Sequence, residues 1–529
     1  MKSLQHFLQS RLLPLSIILA GSLLRLKLYL ENRSFWLDEA WLALDISLRS
    51  FQDILYSKIL APDMPVVPLG FALVERFWLQ VWGYHEYALR LFPFICGLGS
   101  VVIFYTLTRY WLKAGGRTLA LILFSFSGAL ILYASEMKQY STDLAVALGI
   151  YWLYARPWND ALRTRHFLTW CAAGMLAVFF SYAVVFILAA IALVNMAPLV
   201  RARDWPRFKS HLIICIFWMI CFGCFHGTVV RGMTAHPTLM QGAIAKGYFP
   251  AYPLLRPETF FWFGRAVRDY FGEFLGLQPV WAGLVLFAVG GAALFRQERE
   301  RFYVLSVPCV LALAAALLHK YPFGHRFLLF AAPFVFIFIG VGFERLWRPG
   351  PWILRIGGVV LAGALVFSIF KDGTFYLLNR YEHGAYRDVI RLLNAQALPQ
   401  DSLYLNNSAK YLYGYYFKTG PAAVEISPVA KFADEVSREG GRPYILRQFV
   451  WHDFSHPRII ALARRFGEVV KLDAETPNMF GDNPRTWFLL AHFKPEVKEF
   501  ILLLADGNGK RLQEYKRQGA ELYLYDFSR

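Results

Sequence analysis

Apolar runs of about 18 to 22 residues recur along roughly the first 370 positions, each long enough to cross a hydrocarbon layer of about 30 Å as a helix. A soluble globular fold has no way to bury so many of them. Composition agrees: of 529 residues, 57% are hydrophobic and 17% charged, against about 25% charged in an ordinary soluble domain. The chain reads as a polytopic membrane protein. Its formal charge of +18 does not call for nucleic acid, because the excess is unevenly spread. From position 380 onward there are 21 Lys and Arg against 18 Asp and Glu, whereas the preceding part has 34 against 19. Basic residues concentrated between membrane helices mark cytoplasmic connections.

Those clusters set the expected topology. Lys2/Arg11, Lys113/Arg117, Arg156/Arg163/Arg165, Arg201/Arg203/Arg207/Lys209, Arg296/Arg299/Arg301 and Arg345/Arg348/Arg355 fall at every second connection. The spans between them are expected near 12–30, 88–112, 117–134, 141–155, 166–181, 183–200, 210–229, 277–296, 302–319, 326–346 and 352–371. The polar pair Ser181-Tyr182 divides a stretch too long for one span. The run from Leu12 to Leu30 has no small-residue cleavage site and reads as a retained first helix with a cytoplasmic N-terminus, in the plasma (inner) membrane. An odd number of spans then carries residues 380–529 to the extracytoplasmic, periplasmic face. The fold class expected is an α-helical polytopic membrane protein of about 11 transmembrane helices over residues 1–379, followed by an extracytoplasmic α/β domain over 380–529. In that domain a helix at 383–397 precedes strands at 402–405, 443–450, 467–472, 485–492 and 520–526. Two long external segments, 31–87 and 230–276, are natural places for function. The first carries two stretches, near 40–59 and 66–83, that read as interfacial helices.

Cys96, Cys171, Cys215, Cys221, Cys224 and Cys309 all lie in apolar segments, so neither a disulfide framework nor metal chemistry at the lone Cys221-x-x-Cys224 pair is expected. His452 and His456 follow a strand and make a weak metal pair. No phosphate-binding P-loop, dinucleotide-binding glycine loop, GxSxG or HExxH stands in a suitable context, which disfavours nucleotide-driven chemistry.

Three external sites carry charge where charge is costly. Phe35-Trp36-Leu37-Asp38-Glu39-Ala40-Trp41 brackets two adjacent carboxylates with large apolar side chains. A partly desolvated carboxylate gains proton affinity and can act as a general base. The plainer reading has the pair complementing the dipole of the following helix. Tyr133-Ala134-Ser135-Glu136-Met137-Lys138-Gln139-Tyr140, with Asp143 just beyond, puts ionisable groups at helix ends, where they serve either a function or an interfacial turn. His319-Lys320-Tyr321-Pro322-Phe323-Gly324-His325-Arg326 runs against the positive-inside trend and suits a phosphate, whether of a substrate or of lipid headgroups. Arg265, Arg268 and Asp269 are less specific candidates.

Taken in order, these features resemble the GT-C superfamily of membrane glycosyltransferases, in the protein O-mannosyltransferase-like and aminoarabinose-transferase-like branch that includes Rgt-type sugar transferases. The residues that carry the resemblance are Phe35 to Trp41, Ala61-Pro62-Asp63-Met64-Pro65 with Glu86 to Pro93, Tyr133 to Tyr140, and His325-Arg326-Phe327-Leu328. Asp63, Lys138 and Phe327 depart from residues common in the family. The resemblance implies inverting transfer of a monosaccharide from a polyprenyl-phosphate donor to an extracytoplasmic lipid, glycan or protein acceptor. It implies Asp38 as base and Glu39 and Glu136 as orienting groups. Lys138, His325 and Arg326 would hold the donor phosphate, with Tyr140, Asp63 and Arg265 in support. No cofactor is required, although a divalent cation on Asp38, Glu39 and Glu136 is compatible with the pattern. The alternative is a transporter or flippase of a lipid-linked sugar, against which stand the position of the charges at helix ends and the lack of an internal repeat. A non-catalytic scaffold leaves the acidic pair unexplained. The C-terminal domain is expected to guide the acceptor.

Overall fold

The computed structural model describes residues 12–56, 67–156, 163–234, 244, 246–250, 257–347, 351–398, 401–405, 408–418, 445–447, 485–493 and 495–528. In chain order the helices are α1 (Leu12–Leu30), α2 (Leu37–Leu48), α3 (Phe51–Leu55), α4 (Leu69–Trp82), α5 (Glu86–Trp111), α6 (Ala114–Phe126), α7 (Gly128–Tyr133) and α8 (Tyr140–Tyr154). There follow α9 (Arg163–Phe180), α10 (Val184–Arg201), α11 (Trp205–Thr234), α12 (Pro257–Asp269), α13 (Val280–Gln297), α14 (Arg299–Leu317), α15 (Ala332–Trp347) and α16 (Trp352–Leu378). A π-turn at Tyr270–Phe274 extends α12, and a 3-10 segment at His325–Ala331 leads into α15. The C-terminal part adds α17 (Tyr386–Gln396), β1 (Ser402–Leu405), α18 (Ala409–Lys418), β2 (Ile445–Arg447), β3 (Arg485–Ala491), α19 (Pro495–Asn508), β4 (Lys510–Arg517) and β5 (Ala520–Asp526).

Every span expected from the sequence is helical, and among the described residues eight helices are long and apolar enough to cross a membrane. This is an integral membrane protein. The others fall short for visible reasons. The stretch expected at 117–134 breaks at Ser127, α8 has 15 residues, and α9 opens with Arg163 and Arg165. At the break, the buried Arg25 of α1 donates to the carbonyls of Ser125 (2.9 Å) and Phe124 (3.4 Å). A guanidinium thus satisfies carbonyls that the end of α6 would otherwise leave orphaned. Ser127 Oγ donates across to Leu275 O (3.2 Å).

Two compact units divide the chain: Met1–Glu31, Val66–Trp78 and Tyr87–Arg380 form the first, and Asn32–Pro65, Leu79–Glu86 and Tyr381–Arg529 the second. In the first, helices cross closely through glycine. A Cβ on Gly290 of α13 would lie 1.9 Å from the Phe338 carbonyl oxygen, and one on Gly342 of α15 would lie 1.9 Å from that of Leu286. Small residues of this kind let membrane helices gain dispersion contacts along their backbones.

In the second unit the strands form one mixed sheet in the order β2-β1-β3-β5-β4, with β1 parallel to β2 and β3, and β5 antiparallel to β3 and β4. Central β3 is apolar from Trp487 to Ala491 and buried on both faces beyond Arg485. Its Trp487 is fully buried, and the indole donates to Asp401 (2.7 Å). Strand β4, Lys-Arg-Leu-Gln-Glu-Tyr-Lys-Arg, was not expected, because it lies at a sheet edge and has no apolar face. The strand expected at 467–472 lies outside the described residues.

Candidate active site

The first unit brings together two turns that are far apart in sequence. Between α7 and α8, Ser135, Glu136, Met137 and Lys138 are buried, and Ser141 Oγ donates to Tyr133 O (2.7 Å). Tyr133 lies within electrostatic range of both Glu136 and Arg326. The Arg326 guanidinium lies over the Tyr140 ring at 5.8 Å and over Phe327 at 5.6 Å, and Tyr140 meets Phe327 edge-on at 6.0 Å. Glu136, Tyr140 and Arg326 therefore share one neighbourhood. A cation facing aromatic rings in a partly desolvated site keeps its charge while its position is restricted.

The 319–327 turn is shaped by left-handed backbone. Gly324 has φ 142°, and His319 and His325 have φ 53° and 45°, a conformation that non-glycine residues adopt at a cost. The cost is met by ties to the segment before α12. Phe323 N–H donates to Tyr248 O (3.0 Å), His319 Nε2 lies 2.8 Å from Pro250 O, and Tyr321 Oη donates to Phe327 O (2.8 Å). Beside them lies a cavity of about 170 Å³, lined by Lys246, Tyr248, Trp262, Arg265, Asp269 and His325 among others. The structure places Arg265 and His325 on this one cavity. Arg268 pairs with Asp269 (2.7 Å) and does not line it. Sequence reasoning missed Lys246, Tyr248 and Trp262; the basic-aromatic run Lys246-Gly247-Tyr248 within a long proline-bearing segment was the available signal.

Asp143 is buried in α8 and hydrogen-bonds Ser181 at the break between α9 and α10. Asp63 and the His452–His456 pair lie outside the described residues.

Asp38 and Glu39 belong to the second unit, in the first turn of α2, where the N-cap Trp36 makes no side-chain cap bond. Glu39 is fully buried and Asp38 partly exposed. At the far end of α2, Asp45 pairs with Arg49, yet burial still pushes its carboxyl up to about 6. Among the described residues no three His, Cys, Asp or Glu side chains group closely enough to hold a metal ion.

Apolar spanning helices followed by a closing mixed-sheet unit make a fold that is similar to those of solved structures. The particular likeness is to ArnT from Cupriavidus metallidurans. The apo crystal structure superposes with a TM-score of 0.51 and the form bound to undecaprenyl phosphate with 0.52. In each case identity is 12%, with 96% of this chain and 97% of the other covered. No protein-family model matches the sequence, and no curated protein matches it. The likeness is one of fold.

Proposed function

We propose that the chain is an inverting glycosyltransferase that moves a monosaccharide from a polyprenyl-phosphate donor to an acceptor hydroxyl at the extracytoplasmic face of the membrane. The observation that carries this reading is the basic cavity of Lys246, Arg265 and His325 in a protein whose fold is that of ArnT, which has been captured with undecaprenyl phosphate. A lipid phosphate is a competent leaving group once its charge is neutralised. His325, on that cavity beside Lys246 and Arg265, binds the phosphate oxygens together with Lys138 and Arg326, which do not line it, and Tyr140 is in support. Glu39 and Glu136 orient acceptor and sugar. Asp38 accepts the acceptor's proton as its oxygen forms a bond to the anomeric carbon, and the bond from that carbon to the phosphate oxygen breaks on the opposite face. The electron pair leaves with polyprenyl phosphate. The basic clusters at alternate connections support a cytoplasmic N-terminus and an extracytoplasmic C-terminal domain.

The test is transfer of radiolabelled sugar from a panel of polyprenyl-phosphate monosaccharides by purified protein in detergent, with membrane extract as acceptor. Labelled product from wild type, absent with Asp38→Asn, supports the reading. No product from any donor favours a transporter instead, and an equally active Asp38→Asn removes Asp38 from the role of base.

A further inference from the structure

The residues around Asp38 and Glu39 are gripped almost one by one by side chains that come much later in the chain. Arg387, next to the start of α17, donates from its guanidinium to Asn32 O (2.8 Å) and to Glu86 Oε1 (2.9 Å), and from its backbone N–H to Ser34 Oγ (3.3 Å). Tyr416 of α18 donates its hydroxyl to the same Glu86 oxygen (3.0 Å) and accepts the Phe35 N–H (2.7 Å). Rings complete the grip. Phe35 packs edge-on against Tyr415 at 5.0 Å, Trp36 stacks on His383 at 4.8 Å, and Trp41 stacks on Tyr411 at 5.0 Å. All these residues lie within the second compact unit.

Packing alone explains the rings but not the polar hub. Glu86, Arg387 and Tyr416 form a mostly buried network around one carboxylate oxygen, and a buried ion pair is often no more stabilising than apolar groups of the same shape. Such a network earns its place by specifying geometry. It fixes the backbone of residues 32 and 35 and the side chain of Ser34, the approach to the first turn of α2 that carries both carboxylates. No side-chain cap holds that turn from within.

Resting on the proposed function, we infer that Arg387 and Tyr416, acting through Glu86, are the positioning residues of the Asp38–Glu39 pair. The C-terminal domain is then part of the catalytic unit: it sets where the base stands. An offset of about 1 Å in a catalytic group can cost about 100-fold in rate, so a loosened hub lowers turnover more than donor affinity.

The experiment compares full-length wild type, Tyr416→Phe, Arg387→Gln and Arg387→Lys in detergent by amide hydrogen exchange and by steady-state transfer. The expected result is faster exchange confined to residues 32–41 in Arg387→Gln and Tyr416→Phe. With it come a fall in kcat of about 10- to 100-fold, a donor KM within about 3-fold of wild type and a displaced acid limb of the pH–kcat profile. Arg387→Lys recovers part of the loss. Unchanged exchange over residues 32–41 overturns the inference, as does faster exchange spread evenly over the chain, or a raised KM with kcat intact. If wild type transfers no sugar, the functional reading falls, and exchange alone still decides whether the hub positions the segment.

Discussion

The turn at residues 133–140 and the acidic segment at residues 32–41 both put charge at a helix end, but they are held in different ways. The turn is short and closes on itself: Ser141 returns a hydrogen bond to Tyr133 O (2.7 Å), Lys138 N–H donates to Glu136 O (2.7 Å), and α7 and α8 flank it directly. The acidic segment takes its polar anchors from Arg387 and Tyr416, 353 to 381 positions away. Local closure makes the turn robust to distant change. Remote anchoring leaves the carboxylate pair dependent on a domain that must itself be folded.

The largest effect is expected at Asp38. Replacing a general base typically costs about 100- to 10,000-fold, so Asp38→Asn should lose transfer by that factor while its melting temperature stays at the wild-type value, as measured by initial rates and thermal unfolding in detergent. A full-rate variant would break the contrast, since the remote segment would then hold nothing that reacts.

Arg326→Ala tests the neighbourhood of the other region, since Arg326 lies over the Tyr140 ring. Loss of charge-assisted hydrogen bonds worth about 1.5 to 3 kcal/mol should raise the donor KM by about 10- to 100-fold, with kcat changed less. The pattern should be the reverse of that at Arg387 and Tyr416, and donor titrations with both sets of variants would show it.

The membrane bundle has its own sensitive point at the crossing of α13 and α15. Gly290→Ala would push a Cβ against the backbone oxygen of Phe338, which cannot move aside as a side chain can. Overpacking of this kind costs about 1 to 3 kcal/mol, to be read as a lower melting temperature together with a loss of yield.

A smaller, pH-dependent effect is expected at Glu75 on α4, which is fully buried, with no hydrogen-bond partner on either carboxylate oxygen. Burial holds its carboxyl well above the ordinary carboxylate range. The folded state keeps the proton while the unfolded chain releases it above about 4.3. The stability associated with the protonated acid is therefore complete below about pH 4.3 and is lost as pH rises toward the raised folded value. Glu75→Gln has no proton to lose, so its melting temperature relative to wild type should increase from pH 4 to pH 8. A constant difference over that range would show that Glu75 titrates alike in both states.

The smallest effect is expected at the surface of the C-terminal sheet. Partly buried Arg511 pairs there with Asp506 (2.6 Å) and Glu514 (2.7 Å) and donates to Tyr525 Oη (2.9 Å), and pairs at a protein surface contribute about 1 kcal/mol or less. Arg511→Ala should leave transfer unchanged and lower the melting temperature slightly.

Much of the membrane architecture was legible because the bilayer demands long apolar helices, a signal that survives without homologues. Asp38-Glu39, Glu136 with Lys138, and His325-Arg326 stood out for a related reason: charge beside apolar runs is costly and therefore visible. Less was legible where the cause is pairing with something remote. The interruption at Ser127 depends on the Arg25 guanidinium reaching the end of α6, and β4 is a strand only because β5 pairs with it. Lys246 and Tyr248 were ordinary residues of a long segment until Phe323 and His319 drew that segment against the 319–327 turn.

By itself the sequence determined the class of molecule, the helices and the residues that carry unusual charge, because those follow from hydropathy and the cost of desolvating ions. Tertiary structure alone decided which residues share a neighbourhood: Arg326 with Tyr140, Arg265 with His325 and Lys246, Arg387 and Tyr416 with Glu86. The physical reason is that contacts between residues hundreds of positions apart are chosen by the folded packing as a whole, and no local pattern of side chains records them.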